Sequence, residues 1–292
     1  MIMKTSRVAT RASTGIVAER CDDAYLSLIR KTLARLETDL ARHFKDQEDP
    51  EPVHDVRVDI RVLTSILYLF YPLISGSDFE SADKMLKDAI SAFGEKREAD
   101  MLVKSLKDYA RENPDHKESA YDMIMKIQSG SIPGEEDREL ILKTVKRLSD
   151  EMISLKLTDE ARLQGDFGSF AKRRLSSMLE ELRVQAARSF GKKRSIHKYR
   201  IAVKKALYSL EIAEEERDFG GAVWRARLKA VQDIAGSIHD AEVNMKLAFD
   251  FGIEDKIFHE GFADFLEERI AEGRDRFMFL MDETRGMETD IG

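Results

Sequence analysis

A nine-residue pattern that occurs twice constrains the fold of this chain more than any other feature. The copies begin at Val53 and Ile196, and each reads apolar residue, His, two residues, Arg, three residues, and then Arg or Lys. The two histidines, His54 and His197, lie 143 positions apart (197 − 54). A pattern of this length, repeated in the same order, indicates that the chain contains two versions of one structural unit.

Apolar side chains continue from both copies at successive spacings of three, four, three, four and three residues, which is the period of one face of an α-helix. They are Val53, Val56, Ile60, Leu63, Leu67 and Phe70 in the first copy, and Ile196, Tyr199, Val203, Ala206, Leu210 and Ala213 in the second. The spacing predicts two long helices that each bury one stripe. Because each residue adds about 100° around a helix, the motif cations, one position after stripe residues, should lie along the edge of the stripe and border a groove.

A second landmark repeats at nearly the same distance. Leu86 and Gly94 match Leu228 and Gly236, both 142 positions later (228 − 86 and 236 − 94). Two independent landmarks with almost one offset support a duplication. Helical periodicity continues through the chain without strand-like alternation, which predicts an all-α fold.

The domain organisation follows from the same landmarks and from the turn residues between them. Positions 1–15 are polar and without clear periodicity, which predicts a flexible N-terminal arm. A Gly- and Pro-containing turn at 129–134 is the best internal boundary. We therefore expect a first helical-bundle half at 16–130 and a second at 135–285.

The balance of charge limits the partners of the chain. A net charge of −7 and a pI of about 5.6 argue against a general nucleic-acid binder. No apolar run reaches the roughly 18–20 residues of a membrane span, and the amino terminus has no signal-peptide core. The single cysteine, Cys21, excludes an intrachain disulfide and a cysteine-based zinc cluster. We expect a cytoplasmic protein that binds neither nucleic acid nor membranes.

A run of positive charge surrounds the second copy of the pattern. From Arg183 to Leu210 the chain contains no Asp or Glu, although the protein as a whole is acidic. A solvated helix face is one explanation of such a run. The other is a bound anion, because cations this dense repel one another unless an anion offsets them. Arg suits bidentate contacts with phosphate, and Lys acts on phosphate as a point charge.

With these motifs the sequence resembles the CHAD family, the conserved-histidine α-helical domains, over about residues 16–281. The segments at His54 and His197 resemble the family's repeated His-x-x-Arg motif, and those at Gly94 and Gly236 resemble its later glycine-containing segment. The resemblance implies two four-helix-bundle halves, related by a pseudo-twofold, that form one CHAD-like domain (16–285) with a basic central groove. It also implies non-catalytic binding of inorganic polyphosphate there, with no cofactor. Any polyphosphate- or triphosphate-handling enzyme that acts with it would be a separate chain.

The residues that we expect to bind polyphosphate carry basic or imidazole side chains on or near the motif helices. They are Arg42, His54, Arg57, Arg61, Lys87, Arg188, Lys193, His197, Arg200, Lys204, Lys205 and Lys229. The first copy has Val62 and Thr64 where the family often has Arg, which predicts a site weighted to the second half. The two histidines either bind the anion or anchor their helices, and the sequence leaves both roles open.

Two other functions fit parts of the sequence. A structural or protein-interaction helical bundle would pair its basic stripe with its own acids. The dipeptide His239-Asp240 is also found in HD-type metal-dependent phosphohydrolases, but that chemistry needs further His and Asp ligands around the metal, and the six histidines are scattered. No glycine-rich phosphate loop of the nucleotide-binding types occurs.

Overall fold

Ten α-helices account for most of the residues that the structure describes. It is a computed structural model that describes residues 19–45, 50–129, 135–188, 193–216, 220–250 and 256–289, so the predicted arm at 1–15 lies outside it. The helices are α1 (Cys21–Lys45), α2 (Pro50–Leu69), α3 (Gly76–Ser91), α4 (Gly94–Glu112), α5 (Lys117–Ser129), α6 (Glu135–Ser154), α7 (Phe167–Ala186), α8 (Lys193–Glu216), α9 (Ala222–Asp250) and α10 (Lys256–Arg285). Three short 3₁₀ helices accompany them at Tyr71–Leu73, Pro114–His116 and Asp159–Leu163. The predicted all-α fold is confirmed.

The two motif helices, α2 and α8, form the centre of the core. All twelve apolar stripe residues are buried, the most exposed being Ile196 at 7%. The two helices pack against each other, and Ser209 Oγ donates to the main-chain carbonyl of Ser65 at 3.3 Å. The motif residues beside the two stripes therefore belong to helices in direct contact with each other.

The helix after each motif helix differs between the halves. In the first half two helices, α3 and α4, follow the motif helix and are separated at Ala92 and Phe93. In the second half α9 continues through Gly236 without a break. Helix α6, at the start of the predicted second half, packs on α1 and α3 of the first. The pseudo-twofold relation of the halves stays a prediction.

Helices α4, α9 and α10 form the side of the molecule that faces the motif helices. Asn244 on α9 joins it to α4, because its Nδ2 donates to Ser105 Oγ at 2.7 Å and to the carbonyl of Met101 at 3.4 Å. Tyr109 on α4 packs edge-on against a row of three aromatic rings on α10, at Phe258, Phe262 and Phe265. Within the described ranges, no helix is both long enough and apolar enough to cross a membrane.

Candidate functional site

A cavity of about 610 Å³ opens between the motif helices and helices α4, α9 and α10. Helix α2 contributes His54, Arg57 and Arg61 to its wall, and α8 contributes Arg200 and Lys204. Each is a motif residue from one of the two copies of the repeated pattern. The duplication therefore brings cations from positions far apart in sequence to one cavity, where they can act on one ligand.

The two arginines from α2 are fixed by main-chain acceptors. Arg57 Nη1 donates to the carbonyls of Ile90 and Phe93, each at 3.0 Å, where α3 ends and α4 begins. Arg61 Nε donates to the carbonyl of Arg57 at 3.0 Å. Arg57 thus ties α2 to the two main-chain carbonyls that flank the break between α3 and α4. The same guanidinium is part of the cavity wall and part of the fold.

The cations from α8 lie in a more enclosed position. Burial, and after it the charges of Arg200, Arg61 and Arg57, lower the pKa of Lys204 to about 7, against an opposing effect of Asp240. Burial also lowers the pKa of Arg200, whose Nε has no hydrogen-bond partner among the described residues. The positive side chains of α2 and α8 thus share one wall, and burial makes their charge costly. Such a wall favours the binding of an anion.

The other walls of the cavity carry both signs of charge, in a pattern that sequence reasoning missed. Three further cations line them, Lys104 from α4 and Arg269 and Arg276 from α10. Five acids also line the cavity: Glu98, Asp108, Asp233, Asp240 and Glu272. Helices α4 and α10 carry no repeated basic motif, so only the packing of the helices shows that these side chains face the cavity.

A model of the family described as "CHAD domain" matches residues 25–248, a range that contains both copies of the motif. The chain belongs to the CHAD family.

Solved structures show the same fold. The CHAD domain from the plant Ricinus communis superposes with a TM-score of 0.73 at 17% identity, covering 97% of this chain and 99% of the plant chain. PptA from Streptomyces chartreusis superposes with a TM-score of 0.64 at 12% identity, covering 90% and 100% of the two chains. No curated protein matches the sequence. At these identities the likenesses establish the CHAD fold.

Several cations predicted as CHAD ligands lie outside the cavity lining and have acidic neighbours. Arg42 Nη1 contacts Asp39 at 2.8 Å and Asp55 at 3.2 Å. Lys87 pairs with Asp83, and Lys229 pairs with Asp233 at 2.8 Å, both one helical turn away. Such i,i+4 pairs are typical of a solvated helix face. These three positions are therefore less positive than the sequence suggested.

Lys205 lies on a different side of α8 from Lys204. Its Nζ lies 3.3 Å from the centroid of the Tyr68 ring, a cation–π contact between α8 and α2. Burial lowers its pKa to about 8. Arg188 is exposed and does not line the cavity, and the side chain of Lys193 lies outside what the structure describes. Of the twelve predicted ligands, five line the cavity: His54, Arg57, Arg61, Arg200 and Lys204.

The motif histidines have different positions in the two halves of the CHAD domain. His54 is exposed and lines the cavity. His197 lies against His239, with ring centroids 5.5 Å apart, beside Arg200 rather than in the main cavity lining. Burial, together with the charges of Arg200, His197 and Lys204, lowers the pKa of His239 to about 4. His239 is therefore neutral at physiological pH.

The dipeptide His239-Asp240 also lines the cavity, which bears on the phosphohydrolase alternative. Among the described residues, no group of three or more His, Cys, Asp or Glu side chains is arranged to hold a metal ion. The charges of Arg200 and Lys204 next to His239 would also oppose a bound cation. Among the described residues, His239 and Asp240 therefore lack the further ligands that a metal site of this type needs.

Proposed function

We propose that the cavity binds inorganic polyphosphate or a similar polyanion and that this CHAD domain does not itself catalyse a reaction. One observation carries the proposal: Arg57, Arg61, Arg200 and Lys204 line one wall of one cavity from two helices. Burial and the repulsion between these cations lower the pKa of Lys204, and a bound phosphate chain would offset both effects. In this proposal the partner is inorganic polyphosphate in the cytoplasm, and neither nucleic acid nor a membrane is a partner. A separate polyphosphate- or triphosphate-handling enzyme is a candidate further partner.

The mechanism is electrostatic capture. The arginines and lysine of the wall replace small cations that accompany the phosphate chain, so binding gains the entropy of the released ions and weakens as salt rises. The arginines can each present two N–H donors to a phosphate group. Because Arg57 already bonds two carbonyls, we expect the second-half cations, Arg200 and Lys204, to contribute most. That agrees with a site weighted to the second copy of the motif.

A structural or protein-interaction bundle is the second candidate. The observation in its favour is that Arg42, Lys87 and Lys229 pair with neighbouring acids and that Arg57 stabilises the α3–α4 break. The same explanation does not extend to Arg200, whose buried Nε has no hydrogen-bond partner among the described residues. Substitutions in the α8 part of the cavity wall therefore test which of the two candidate functions is correct.

Calorimetric titration with long-chain polyphosphate tests the proposal. The test variant is Arg200→Ala/Lys204→Ala, and the matched control is Lys143→Ala/Arg147→Ala, which removes the same charges from exposed positions one turn apart on α6. With about four phosphate contacts, affinity should fall roughly 50- to 150-fold between about 50 and 200 mM salt. The test variant should lose at least about tenfold and the control less than about twofold.

The outcomes separate the two candidates. No binding by the unmodified protein at low salt, or equal losses in both variants, would leave the structural bundle as the explanation. Release of phosphate from the polymer during the titration would contradict the non-catalytic part of the proposal.

A further inference from the structure

The positive field of the cavity is confined to one wall. Arg200 and Lys204 lie one turn apart on α8, and Arg57 and Arg61 lie one turn apart on α2. Their charges act on one another strongly enough that Arg200, Arg61 and Arg57 all lower the pKa of Lys204. Asp240 is the carboxylate that acts on both Arg200 and Lys204. The wall is therefore a compact cationic patch that spans about one turn of each helix.

Beyond this wall the row of positive side chains that a long polyanion would need is not continuous. Asp39 and Asp55 neutralise Arg42 outside the cavity at the His54 end of α2. Three cations and four acids line the rest of the cavity on α4, on α10 and at Asp233 of α9. Among the described residues they are the cations Lys104, Arg269 and Arg276 and the acids Glu98, Asp108, Asp233 and Glu272. Arg269 is moreover paired with Glu112 at 2.6 Å. This part of the lining has no excess of positive charge.

We propose that the cavity recognises a short run of about three or four consecutive phosphates, which the four cations of the α2–α8 wall can neutralise, and does not contact a longer stretch of the chain. This inference rests on the proposed function and names the ligand length of the same site. Free tripolyphosphate and a segment of a long polymer present the same chemistry to the wall.

Repulsion from the acids sets the limit. Asp108 is paired with Arg111 and Asp233 with Lys229, each at 2.8 Å, so Glu98 and Glu272 are the acids that matter most. A phosphate chain that ran on along the cavity would bring its charges close to these two carboxylates, and in a partly enclosed site such repulsion is stronger than in water. Each added phosphate would then contribute little or nothing to affinity. A chain that contacts only the compact wall escapes this effect, because its remainder stays in solvent.

The test compares salt dependence for two ligands, tripolyphosphate and a polyphosphate of roughly 100 units, by titration of the full chain over about 50 to 200 mM salt. The slope of log K against log salt counts the phosphates in contact. A long polymer offers many positions for a short site, which raises its apparent affinity without changing the slope. We expect slopes of about −2 to −4 for both ligands, differing by less than about one, and displacement of the polymer by tripolyphosphate.

A charge-neutralising variant sharpens the comparison. Glu98→Gln/Glu272→Gln removes two acids from the lining, and Glu118→Gln/Asp122→Asn removes two exposed acids from α5 outside it. The first variant should bind the long polymer with a steeper slope of log K against log salt, because the rest of the lining then repels the polymer less. Its affinity for tripolyphosphate should change less than about threefold. The control should leave both slopes unchanged.

The possible results distinguish this inference from the proposed function. A slope for the long polymer in the unmodified protein that is steeper than about −6, with no displacement by tripolyphosphate, would overturn the short-run inference and leave polyphosphate binding in place. Equal slopes in the unmodified protein and the lining variant would also contradict it, because acids that do not limit the contact cannot explain its length. Failure of both ligands to bind would remove the proposed function itself.

Discussion

Lys204 lies one helical turn after Arg200 on α8, and both side chains line the same wall of the cavity. Burial and the neighbouring positive charges lower the pKa of Lys204 to about 7. At neutral pH the ammonium group of Lys204 is therefore present in only part of the molecules, unlike that of an exposed lysine. Two measurable consequences follow from this pair.

The first consequence is that anion binding takes up protons. Phosphate oxygens next to Lys204 favour its charged form and raise its pKa. At about pH 7.5 to 8, binding should take up roughly 0.7 to 0.9 of a proton per site. The measurement is calorimetry with tripolyphosphate in HEPES and in Tris, whose ionisation enthalpies differ. In Lys204→Met the difference between the buffers should largely disappear; identical enthalpies for the unmodified protein in both buffers would contradict the assignment.

The second consequence concerns the stability of the protein without a ligand. Lys204 titrates near pH 7 when folded and near its ordinary pKa of about 10.4 when unfolded, so the unfolded state holds more protons between these values. The free energy of unfolding should therefore rise as pH increases from about 7 to 9, as measured by urea denaturation. Lys205, with its pKa lowered to about 8, adds to the rise with the same sign. Lys204→Met should show a visibly smaller rise, and an unchanged one would refute the role of Lys204.

Arg57 should contribute to stability independently of any ligand. Replacement by Gln removes the donor to the carbonyls of Ile90 and Phe93, and it should lower the free energy of unfolding by about 2 kcal/mol. The matched change is Arg42→Gln, which disrupts exposed ion pairs with Asp39 and Asp55 and should lower the free energy of unfolding much less than Arg57→Gln does. Chemical denaturation compares the two, and equal losses would show that the carbonyl contacts of Arg57 are unimportant.

Two glycines in long helices should respond in opposite directions to Ala. At Gly261 in α10 an added Cβ would overlap the Tyr109 hydroxyl and approach His116, so Gly261→Ala should destabilise the protein by about 1–3 kcal/mol. At Gly236 in α9 an added Cβ meets nothing within 4 Å, and Ala has the higher helix propensity. Gly236→Ala should therefore stabilise the protein by up to about 1 kcal/mol. Thermal unfolding reports both shifts, and a loss at Gly236 would contradict the packing described for α9.

The helices and the cations at the centre of the candidate site could be predicted from the sequence, because both follow from the spacing of residues along a helix. The buried stripes of α2 and α8 and the cations one position beyond them follow from the rotation per residue alone. The same rotation separates Lys205 from Lys204, and Lys205 accordingly contacts Tyr68 outside the cavity. The pairing of Lys87 with Asp83 and of Lys229 with Asp233 was also visible as i,i+4 spacing.

The opposite walls of the cavity were not predictable in this way. Lys104, Asp108 and Arg269 belong to helices without a repeated motif, and their place in the lining depends on how α4 and α10 pack across the molecule. Helix packing of this kind is decided by contacts between residues far apart in sequence, such as Asn244 with Ser105. A search for cations near the motifs therefore finds the attractive wall and misses the acids that oppose it.

The contact between α2 and α8 also determines how quickly an anion could be captured. The buried stripes fix α2 and α8 in the core, and with them the positions of Arg57, Arg61, Arg200 and Lys204 in the cavity lining. The free energy needed to assemble these like charges is supplied by folding. Such a preorganised wall loses little conformational entropy on binding, and its field can steer a polyanion during diffusion. The same two helices thus contribute to the hydrophobic core and carry the charges on which the rate of anion capture would depend.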